Sequence, residues 1–347
     1  MIGVLGGAGT VGRVVVDRLA GRYELRVGGR NLARAAAACP SESAHPVRVN
    51  LHDPESLAAF CDGCEVVVNC AGPSYQVLDL VARAAAPAGA HYVDAAGDFV
   101  ALEALRGEPA VDLGELTSVF SAGLMPGLSG LLPRLLATRP LARLDCYVGG
   151  AARIGELSAI DALLTRGPGF GTPLVGRRGQ ETMPLAPLRQ VALPGFQGKV
   201  HAWPFLSAEM DALATELEVG ELRNYTVYVT ESIPRALAEA WADDGPLERH
   251  VPAVVAAAEE DLAATGPYYT LLFQAVPRAS TPSGPRRLTL RTPDSYALSG
   301  VVAAFTAEEI LYGHIKPGAH LAADVLDPAS VLDRLSGDPL VTDVELL

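Results

Sequence analysis

The sequence predicts an α/β protein built on a doubly wound parallel sheet, and two features of the first 130 residues predict it. Apolar strand-like runs alternate with Ala- and Leu-rich helical segments, and some of these runs, such as Glu65–Asn69, are almost wholly apolar. Alternation at this pace is typical of βαβ units, and apolar strands are typical of a sheet covered on both faces. After about Gly130, Pro- and Gly-rich connections alternate with longer strand-like stretches, which predicts an α+β second domain.

The elements of the first domain follow from these patterns in chain order. The predicted strands are Ile2–Leu5, Glu24–Val27, Val47–Asn50, Glu65–Asn69, His91–Asp94 and Thr117–Ser121. The predicted helices are Val11–Ala20, Leu32–Cys39, Pro54–Phe60, Val77–Ala88 and Phe99–Leu105. Further along, we expect strands at Tyr225–Thr230 and Leu288–Arg291, and helices at Pro234–Ala242, Val251–Ala264 and Asp294–Tyr312.

Length and composition narrow the class of protein. The chain has 347 residues, of which 49% are hydrophobic and 19% charged, which suits two buried cores. The chain has 27 Lys and Arg residues and 40 Asp and Glu residues, which gives a net charge of -13. Without a basic run, we expect no nucleic-acid or membrane partner, and a small-molecule substrate instead. The chain enters its first strand without a basic leader and has no apolar run near the ~20 residues that span a bilayer, so we expect a cytoplasmic protein.

The cysteines include one pair, Cys61 and Cys64, with the CxxC spacing that occurs in zinc and redox sites. No second pair and no matching histidines complete a set of four ligands. The pair also falls at the turn between a predicted helix and a predicted strand. We therefore predict no metal site and an inert thiol pair.

A glycine-rich turn joins the first strand to the first helix. The segment Gly7–Gly12 matches G-x-G-x-x-G in the strand–turn–helix context that gives this pattern its meaning. Gly7 permits the tight turn, Gly9 lets the backbone approach a pyrophosphate, and Gly12 allows close helix–strand packing. The positive end of the helix dipole then favours the phosphates. The alternative is a purely structural turn. The predicted phosphate contacts of this Rossmann fold are Gly7, Gly9, Thr10, Val11 and Gly12.

The end of the second strand predicts which dinucleotide is bound. A site that prefers NAD has Asp or Glu there, to accept hydrogen bonds from the ribose hydroxyls. This chain has Arg30 and Asn31 instead, with Arg34 one helical turn further on. A guanidinium can pair with a 2′-phosphate and stack beside adenine. The sequence therefore predicts NADP(H) as cofactor, bound by Arg30 and Asn31, and the alternative is that Arg30 is a solvated loop residue.

Other candidate residues follow the fourth and fifth strands, where ligands of open α/β sheets bind. Asp98 is the first candidate for catalysis, as a polar group near the reacting centre, and Tyr75 is the second, as a proton donor. The alternatives are that Asp98 caps the helix at Phe99 and that Tyr75 is a half-buried loop aromatic. His91 lies near the start of its strand, away from this edge, and we predict a structural role for it. Further predicted cofactor contacts are Asn69, Ala71, Gly72, Pro73 and Asp94.

Several of these segments together resemble the saccharopine dehydrogenase-like reductase family. The segments that carry the resemblance are Gly6–Gly12, Val67–Pro73, Ala88–Asp94 with Gly97 and Asp98, Gly123–Ser129 and Lys316–His320. They cover the first 130 residues well and the last 50 moderately. Ser74, Tyr75 and Gln76 replace the aromatic residue and glycine that the family usually has after Gly72 and Pro73, so the substrate is less certain than the fold.

The resemblance implies a discontinuous nucleotide-binding domain. Residues 1–130 and 294–347 would form the NADP-binding Rossmann domain, and residues 131–293 the substrate-binding and dimerisation domain of a homodimer. Members of the family act on varied C=N, C–N and C=C bonds, so the family does not fix the substrate.

Three functions remain open at this point. The leading hypothesis is an NADPH-dependent oxidoreductase that reduces an imine or a related unsaturated intermediate by hydride transfer. The second is an enoyl reductase acting on a C=C bond, which an apolar lining and the lack of a substrate-binding cation in the second domain would favour. The third is a non-catalytic NADP(H)-binding sensor or scaffold, which the lack of a proton donor near the nicotinamide would favour.

Overall fold

The computed structural model describes residues 1–107, 109–137, 140–167, 169–278 and 284–347. The strands are β1 (Ile2–Leu5), β2 (Leu25–Gly29), β3 (Ala44–Arg48), β4 (Val66–Asn69), β5 (His91–Asp94), β6 (Thr117–Phe120), β7 (Leu141–Ala151), β8 (Gly171–Pro173), β9 (Val175–Arg178), β10 (Glu181–Pro184), β11 (Leu188–Val191), β12 (Val200–Ser207), β13 (Glu221–Tyr228), β14 (Tyr268–Pro277), β15 (Arg286–Thr292), β16 (Gly318–Leu321) and β17 (Asp343–Leu346).

The helices alternate with these strands in the first half of the chain and cluster later. They are α1 (Thr10–Leu19), α2 (Leu32–Ala37), α3 (Pro54–Cys61), α4 (Ser74–Val77), α5 (Leu80–Ala85), α6 (Phe99–Arg106), α7 (Leu128–Leu131), α8 (Glu156–Leu164), α9 (Ala208–Glu216), α10 (Ser232–Ala242), α11 (Val251–Thr265), α12 (Ser295–Leu311), α13 (Ala322–Val325) and α14 (Pro328–Ser336). Among the residues that the structure describes, no helix has the length and apolar character needed to cross a membrane.

The first of two compact units contains the nucleotide-binding fold. It comprises Met1–Leu128 and Tyr296–Leu326. Its seven strands are all parallel, in the order β16-β6-β5-β4-β1-β2-β3. The strand order therefore reverses between β1 and β4, and this is the point where ligands bind in a doubly wound sheet. The predicted α/β fold with a Rossmann sheet and a second domain is confirmed.

The first sheet is buried because its central strands carry apolar side chains to both faces. One face packs against α3, α5 and α6 in a cluster that includes Phe60, Tyr92 and Phe120. The rings of Tyr92 and Phe120 lie 5.4 Å apart, centroid to centroid. The other face packs on α1, where Val15 and Val16 are buried. A sheet covered on both faces holds its strand ends, and the loops that follow them, in fixed positions.

His91 has the structural role that the sequence predicts. It starts β5, at the edge of the sheet opposite the loops that follow β4 and β5, and its Nδ1 accepts a hydrogen bond from Thr117 N at 2.9 Å. Burial lowers the pKa of His91. Its imidazole thus stays neutral near pH 7 and can keep accepting this bond, which holds the start of β6 beside β5.

Within the first unit, two predicted elements differ from the structure by more than two residues. The helix expected over Val77–Ala88 is broken at Leu78, which has φ 48°, so that α4 ends at Val77 and α5 begins at Leu80. The third strand was expected over Val47–Asn50, which begins directly after Pro46. The observed β3 runs through Pro46 because it is the outermost strand, and edge strands tolerate proline.

The second unit comprises Ser129–Ser295 and Asp327–Leu347. It holds a mixed sheet in the order β10-β9-β13-β7-β14-β15-β17, to which β12 adds through β13. The pair β7–β13 is parallel and the others are antiparallel. One apolar cluster joins α8, α10 and α11, and another lies on the sheet around the stacked rings of Tyr147 and Tyr225, 5.0 Å apart.

The sequence predicts one domain formed by residues 1–130 and 294–347 and a second formed by residues 131–293. The structure departs from this division at the end of the chain. The breaks after Leu128 and Ser295 lie within two residues of the expected ones. The last segment, Asp327–Leu347, belongs to the second unit and not to the nucleotide-binding unit. The reason is that β17 pairs with β15, with Leu346 opposite Leu288 and Asp343 opposite Arg291.

Candidate functional site

The glycine-rich turn lies between β1 and α1 at the carboxyl edge of the first sheet. Gly6 has φ +75°, a conformation that glycine adopts without strain, and its carbonyl accepts a hydrogen bond from Gly9 N at 2.8 Å. Gly9 is the N-cap of α1, with no side-chain bond to the helix. The tight turn that the sequence assigned to Gly7 thus depends on Gly6, the glycine before the motif.

Gly7 and Gly12 are needed for packing. A Cβ on Gly7 would lie 2.6 Å from Cγ1 of Val27 in β2. A Cβ on Gly12 would lie 2.3 Å from the carbonyl oxygen of Gly6 and 2.7 Å from Cα of Gly7. These distances leave no room for a side chain, so the helix can approach the strand only because both residues are glycine.

Gly9 is different, because it faces open space. A Cβ there would have only the Gly6 carbonyl oxygen within 4 Å, at 3.1 Å. The first N–H groups of a helix have no intrahelical acceptor, and in α1 they belong to the turn that begins at Thr10 and includes Val11. These donors, the helix dipole and the uncovered glycine together fit a diphosphate.

The end of β2 carries the residues predicted to select NADP(H). Arg30 directly follows the strand and is exposed. Asn31 is the N-cap of α2, where its Oδ1 accepts a hydrogen bond from Arg34 N at 3.1 Å. The amide of Asn31 is therefore partly used to start the helix, whereas Arg30 keeps its whole donor set for a ligand.

A buried hydrogen-bond network lies below the loops that follow β4 and β5. Asp94 is only 2% exposed, and its Oδ2 accepts bonds from Tyr92 Oη at 2.5 Å and from Asn69 Nδ2 at 3.1 Å. Its Oδ1 accepts bonds from Ala96 N at 2.9 Å and Gly97 N at 2.6 Å. Four donors thus occupy both oxygens of Asp94 and tie the loop after β5 to its strand.

Asn69 extends this network to the neighbouring loop. Its Oδ1 accepts a hydrogen bond from Ala71 N at 3.1 Å, just before the cis peptide between Gly72 and Pro73. Burial first, and then the charge of Asp94, raise the pKa of Tyr92, so its hydroxyl stays protonated and donates. Asn69 and Asp94, which the sequence predicts as cofactor contacts, therefore connect the strand ends to the loops above them.

The loop after β6 joins the same arrangement through Ser121, which the sequence assigned to the strand, and through Gly123, the first residue of a segment that carries the family resemblance. Ser121 has φ 59° and donates from Oγ to the carbonyl of Gly97 at 3.0 Å. A Cβ on Gly123 would lie 2.2 Å from the carbonyl oxygen of Ala95, so this loop touches the one after β5. A serine directly after an apolar strand was the available signal, but its left-handed conformation has no clear sequence signature.

Exchanging the two polar side chains of this network tests what Asp94 does. In Asp94→Asn, the new Nδ2 would face either Nδ2 of Asn69 or the N–H groups of Ala96 and Gly97, so donors would oppose each other in both orientations. We expect a loss of about 1–3 kcal/mol in unfolding free energy, together with weaker NADPH binding. In the double variant Asn69→Asp/Asp94→Asn, donor and acceptor are matched again. We expect it to recover at least half of the loss in urea unfolding and in calorimetry.

A control for the introduced charge is Asn50→Asp, because Asn50 is exposed and its Oδ1 accepts from His52 N, a role that aspartate can fill. A double variant that is as unstable as the sum of the two single variants would contradict the proposed coupling.

The two candidate catalytic residues lie in the loops that follow adjacent strands. Asp98 is 8% exposed and caps α6, with its Oδ1 accepting from Val100 N at 3.0 Å. The capping role considered as an alternative for Asp98 is thus present. Tyr75 lies on the short helix α4 and is half-buried. Because β4 and β5 are neighbours in register, with Asn69 opposite Asp94, both loops leave the same edge of the sheet.

Other side chains that could take part in chemistry are buried or bonded to other residues of the protein. Cys61 and Cys64 are buried, and burial raises the pKa of the Cys61 thiol to about 12, which makes it a poor nucleophile at neutral pH. In the second unit, Arg177 is buried and bonds Oδ1 of Asp211 at 2.8 Å, while Arg178 pairs with Glu221 at 2.9 Å. These two arginines hold the second sheet and its helix together.

Comparison with known proteins agrees with this site. Residues 2–112 match the family model described as Saccharopine dehydrogenase NADP binding domain. The apo saccharopine dehydrogenase (L-Glu forming) from Saccharomyces cerevisiae is similar in fold, with a TM-score of 0.70 and 14% identity over 100% of this chain and 99% of that chain. The comparison with curated proteins finds no match.

Two further solved structures are more distant. A myo-inositol dehydrogenase from Corynebacterium glutamicum has a TM-score of 0.46 and 11% identity, over 90% of this chain and 88% of that chain. An oxidoreductase from Sinorhizobium meliloti has a TM-score of 0.45 and 12% identity, over 96% and 95%.

The parallel sheet, the phosphate turn and the matched NADP-binding domain define the class of protein as an NADP-dependent oxidoreductase. Residues 2–112 of its nucleotide-binding unit are similar to the saccharopine dehydrogenase NADP-binding domain, and the resemblance to the saccharopine dehydrogenase-like family is confirmed. The predicted cofactor, NADP(H), is confirmed by the same match.

Proposed function

We propose that this protein reduces the C=N bond of an imine, or a related unsaturated group, with NADPH. One observation carries the proposal: a tyrosine and a carboxylate lie in the loops after β4 and β5, on the carboxyl edge that also bears the phosphate turn. NADPH, when bound, supplies the hydride. Reduction of C=N also needs a proton and a group that stabilises the cationic iminium.

The two side chains suit different parts of this chemistry. The Tyr75 hydroxyl is a neutral donor and can give its proton to the substrate nitrogen. The carboxylate of Asp98, whose Oδ1 accepts the cap bond from Val100 N, has the charge that can stabilise the positive charge of an iminium. We further propose that Asn69 and Asp94 act on the cofactor by holding the loops in place, and that Ala71, Gly72 and Pro73 contact it directly.

Substrate recognition is assigned to the second unit, residues 131–293 in the sequence-based division. We propose that it binds a small-molecule substrate and contributes to a homodimer, in a cytoplasmic protein, as the sequence leads us to expect. The absence of a basic run also agrees with a small substrate rather than a nucleic acid.

An enoyl reductase is the second candidate, because one observation favours it. The second unit contains a cavity of about 150 Å³ lined by Ile160, Leu163, Leu164, Leu247 and Glu248, and it is therefore mostly apolar. The arginines Arg177 and Arg178 are bonded to acidic residues. An apolar lining suits a substrate whose C=C bond is attached to a hydrocarbon chain.

Turnover with a panel of substrates tests these functions. We expect the protein to oxidise NADPH with cyclic imines or with pairs of an oxo acid and an amine, followed by the absorbance of the reduced nicotinamide. Turnover only with enoyl thioesters would favour the second candidate. Stoichiometric binding of NADPH without turnover on either panel would instead indicate a sensor or scaffold.

Two variants separate the catalytic roles. We expect Tyr75→Phe to lower kcat by about 100-fold, a typical effect of losing a general acid, with little change in NADPH affinity. We expect Asp98→Asn to keep its helix cap, because asparagine caps as well as aspartate, and to change stability by less than about 0.5 kcal/mol. Its kcat/KM should fall if the carboxylate faces the iminium. Unchanged turnover in both variants would remove them from the mechanism.

A further inference from the structure

Three arginines near the end of β2 lack partners in a chain whose arginines are mostly paired. Many others bind a carboxylate or a carbonyl, as Arg26 does with the carbonyl of Phe60 at 2.6 Å. Within the described ranges, the guanidinium groups of Arg30, Arg34 and Arg48 have no hydrogen-bond or ion-pair partner. All three side chains are exposed, although the chain carries a net charge of -13 and has acidic residues in excess.

The register of the sheet brings Arg48 to this place. β2 and β3 run parallel with Gly29 opposite Arg48, and neighbouring strands lie about 4.8 Å apart. Side chains at paired positions leave the sheet on the same face, and successive residues alternate. A Cβ on Gly28 would meet Phe60 of α3 at 2.5 Å, so Gly29 and Arg48 belong to the opposite face. That face carries α1, whose Val16 lies near Gly7.

The space beside Arg48 is open. Apart from its chain neighbours Gly28 and Arg30, nothing would lie within 4 Å of a Cβ on Gly29, so the space directly over this residue is open. Arg30 follows Gly29 directly, and Arg34 lies in the first turn of α2, which starts two residues after Arg30. Arg48 thus lies beside this open position, and Arg30 and Arg34 lie within five residues of it along the chain. Like charges repel one another, so this arrangement is stabilised by an anion that enters the space.

We propose that Arg48 is a specificity-determining residue for NADP(H), which binds the ribose 2′-phosphate together with Arg30 and Arg34. This inference rests on the assignment of Arg30 to the 2′-phosphate. Arg48 adds a cation fixed to a strand, whereas Arg30 lies in a loop and Arg34 on a six-residue helix. A guanidinium at this position bonds only a ligand that carries the 2′-phosphate, so it contributes selectively to NADP(H).

The test compares two fragments of the cofactor that differ by one phosphate. Calorimetry with adenosine 2′,5′-bisphosphate and with adenosine 5′-monophosphate measures the 2′-phosphate contribution apart from any turnover. We expect Arg48→Gln to weaken binding of the bisphosphate by about 5- to 20-fold, the effect of losing one charge-assisted bond. Binding of the monophosphate should weaken by less than about 2-fold. Arg48→Lys, which keeps the charge, should recover part of the loss.

The matched control is Arg235→Gln, which removes an exposed arginine from α10 in the second unit and should leave both affinities unchanged. Equal weakening of both fragments, or no weakening of the bisphosphate, would overturn the role of Arg48 while leaving cofactor binding intact. Failure of the wild-type protein to bind NADPH or either fragment would overturn this role and the proposed function together.

Discussion

Replacement of Arg30 by alanine is expected to weaken NADPH binding by about 10- to 100-fold, with a change of less than about 3-fold for NADH. Arg30 follows β2 directly and is exposed, with no partner within the described part of the chain. A bond between a guanidinium and a phosphate contributes about 1.5–3 kcal/mol, and NADH lacks the 2′-phosphate that would form it. Titration calorimetry with the two reduced cofactors measures the difference directly.

The Arg30→Ala experiment has an internal check in its salt dependence. Loss of a charge–phosphate contact should also make NADPH affinity less sensitive to ionic strength, because fewer charges are screened. Arg235→Ala removes the same charge far along the chain and serves as control. If NADPH and NADH weaken by the same factor, Arg30 does not read the 2′-phosphate.

The second large effect is expected in the phosphate turn, where substitution of one glycine should lower stability and substitution of another should lower NADPH affinity. Gly12→Ala places a methyl group 2.3 Å from the Gly6 carbonyl oxygen, and neither backbone segment can move away easily. We expect a loss of about 3 kcal/mol in unfolding free energy. Gly9→Ala, whose Cβ meets only one atom at 3.1 Å, should fold normally but lose at least tenfold in NADPH affinity, since the methyl occupies the phosphate approach.

A matched control for Gly9→Ala is available in the second unit. Gly155 is the N-cap of α8 with φ -80° and ψ 167°, close to the values of -79° and 174° at Gly9. A Cβ on Gly155 would have nothing within 4 Å. Gly155→Ala therefore reports the cost of alanine at an N-cap alone. Chemical unfolding and calorimetry together decide the result: wild-type NADPH affinity in Gly9→Ala would refute the assigned phosphate position.

Much of the nucleotide-binding unit could be predicted because its signals are local. The strands β1 and β5 have the predicted bounds, Ile2–Leu5 and His91–Asp94, and most others differ by one or two residues at an end. An apolar run between a turn and a helix start leaves few alternatives, since the glycine pattern fixes where the strand stops. The phosphate turn follows from the same residues.

The features that were missed depend on contacts between distant parts of the chain. Arg48 lay within the expected third strand, and only the register of β3 against β2 shows that it ends beside Gly29. Asp94 could be placed at the strand end, but the four donors around its carboxylate come from the tertiary structure. Sequence patterns do not contain these pairings.

The strands of the second unit were harder still to predict from the sequence, because they pair with strands that are distant along the chain. The long strands β7 and β14 were not predicted, although they form the centre of the mixed sheet. Leu141–Ala151 carries two glycines, and a Cβ on Gly149 would lie 2.0 Å from the carbonyl oxygen of Val227 in β13. Glycine weakens the sequence signal for a strand, yet here it permits the close approach of two backbones.

The late position of β16 in the chain has a consequence for synthesis on the ribosome. This strand completes the first sheet beside β6, yet about 200 residues separate the two. At roughly 5–20 residues per second, β6 emerges about 10–40 seconds before its neighbour. During that interval one side of β6, which is paired on both sides in the folded sheet, is open to other nascent chains, and a chaperone that shields it would raise the yield of folded protein.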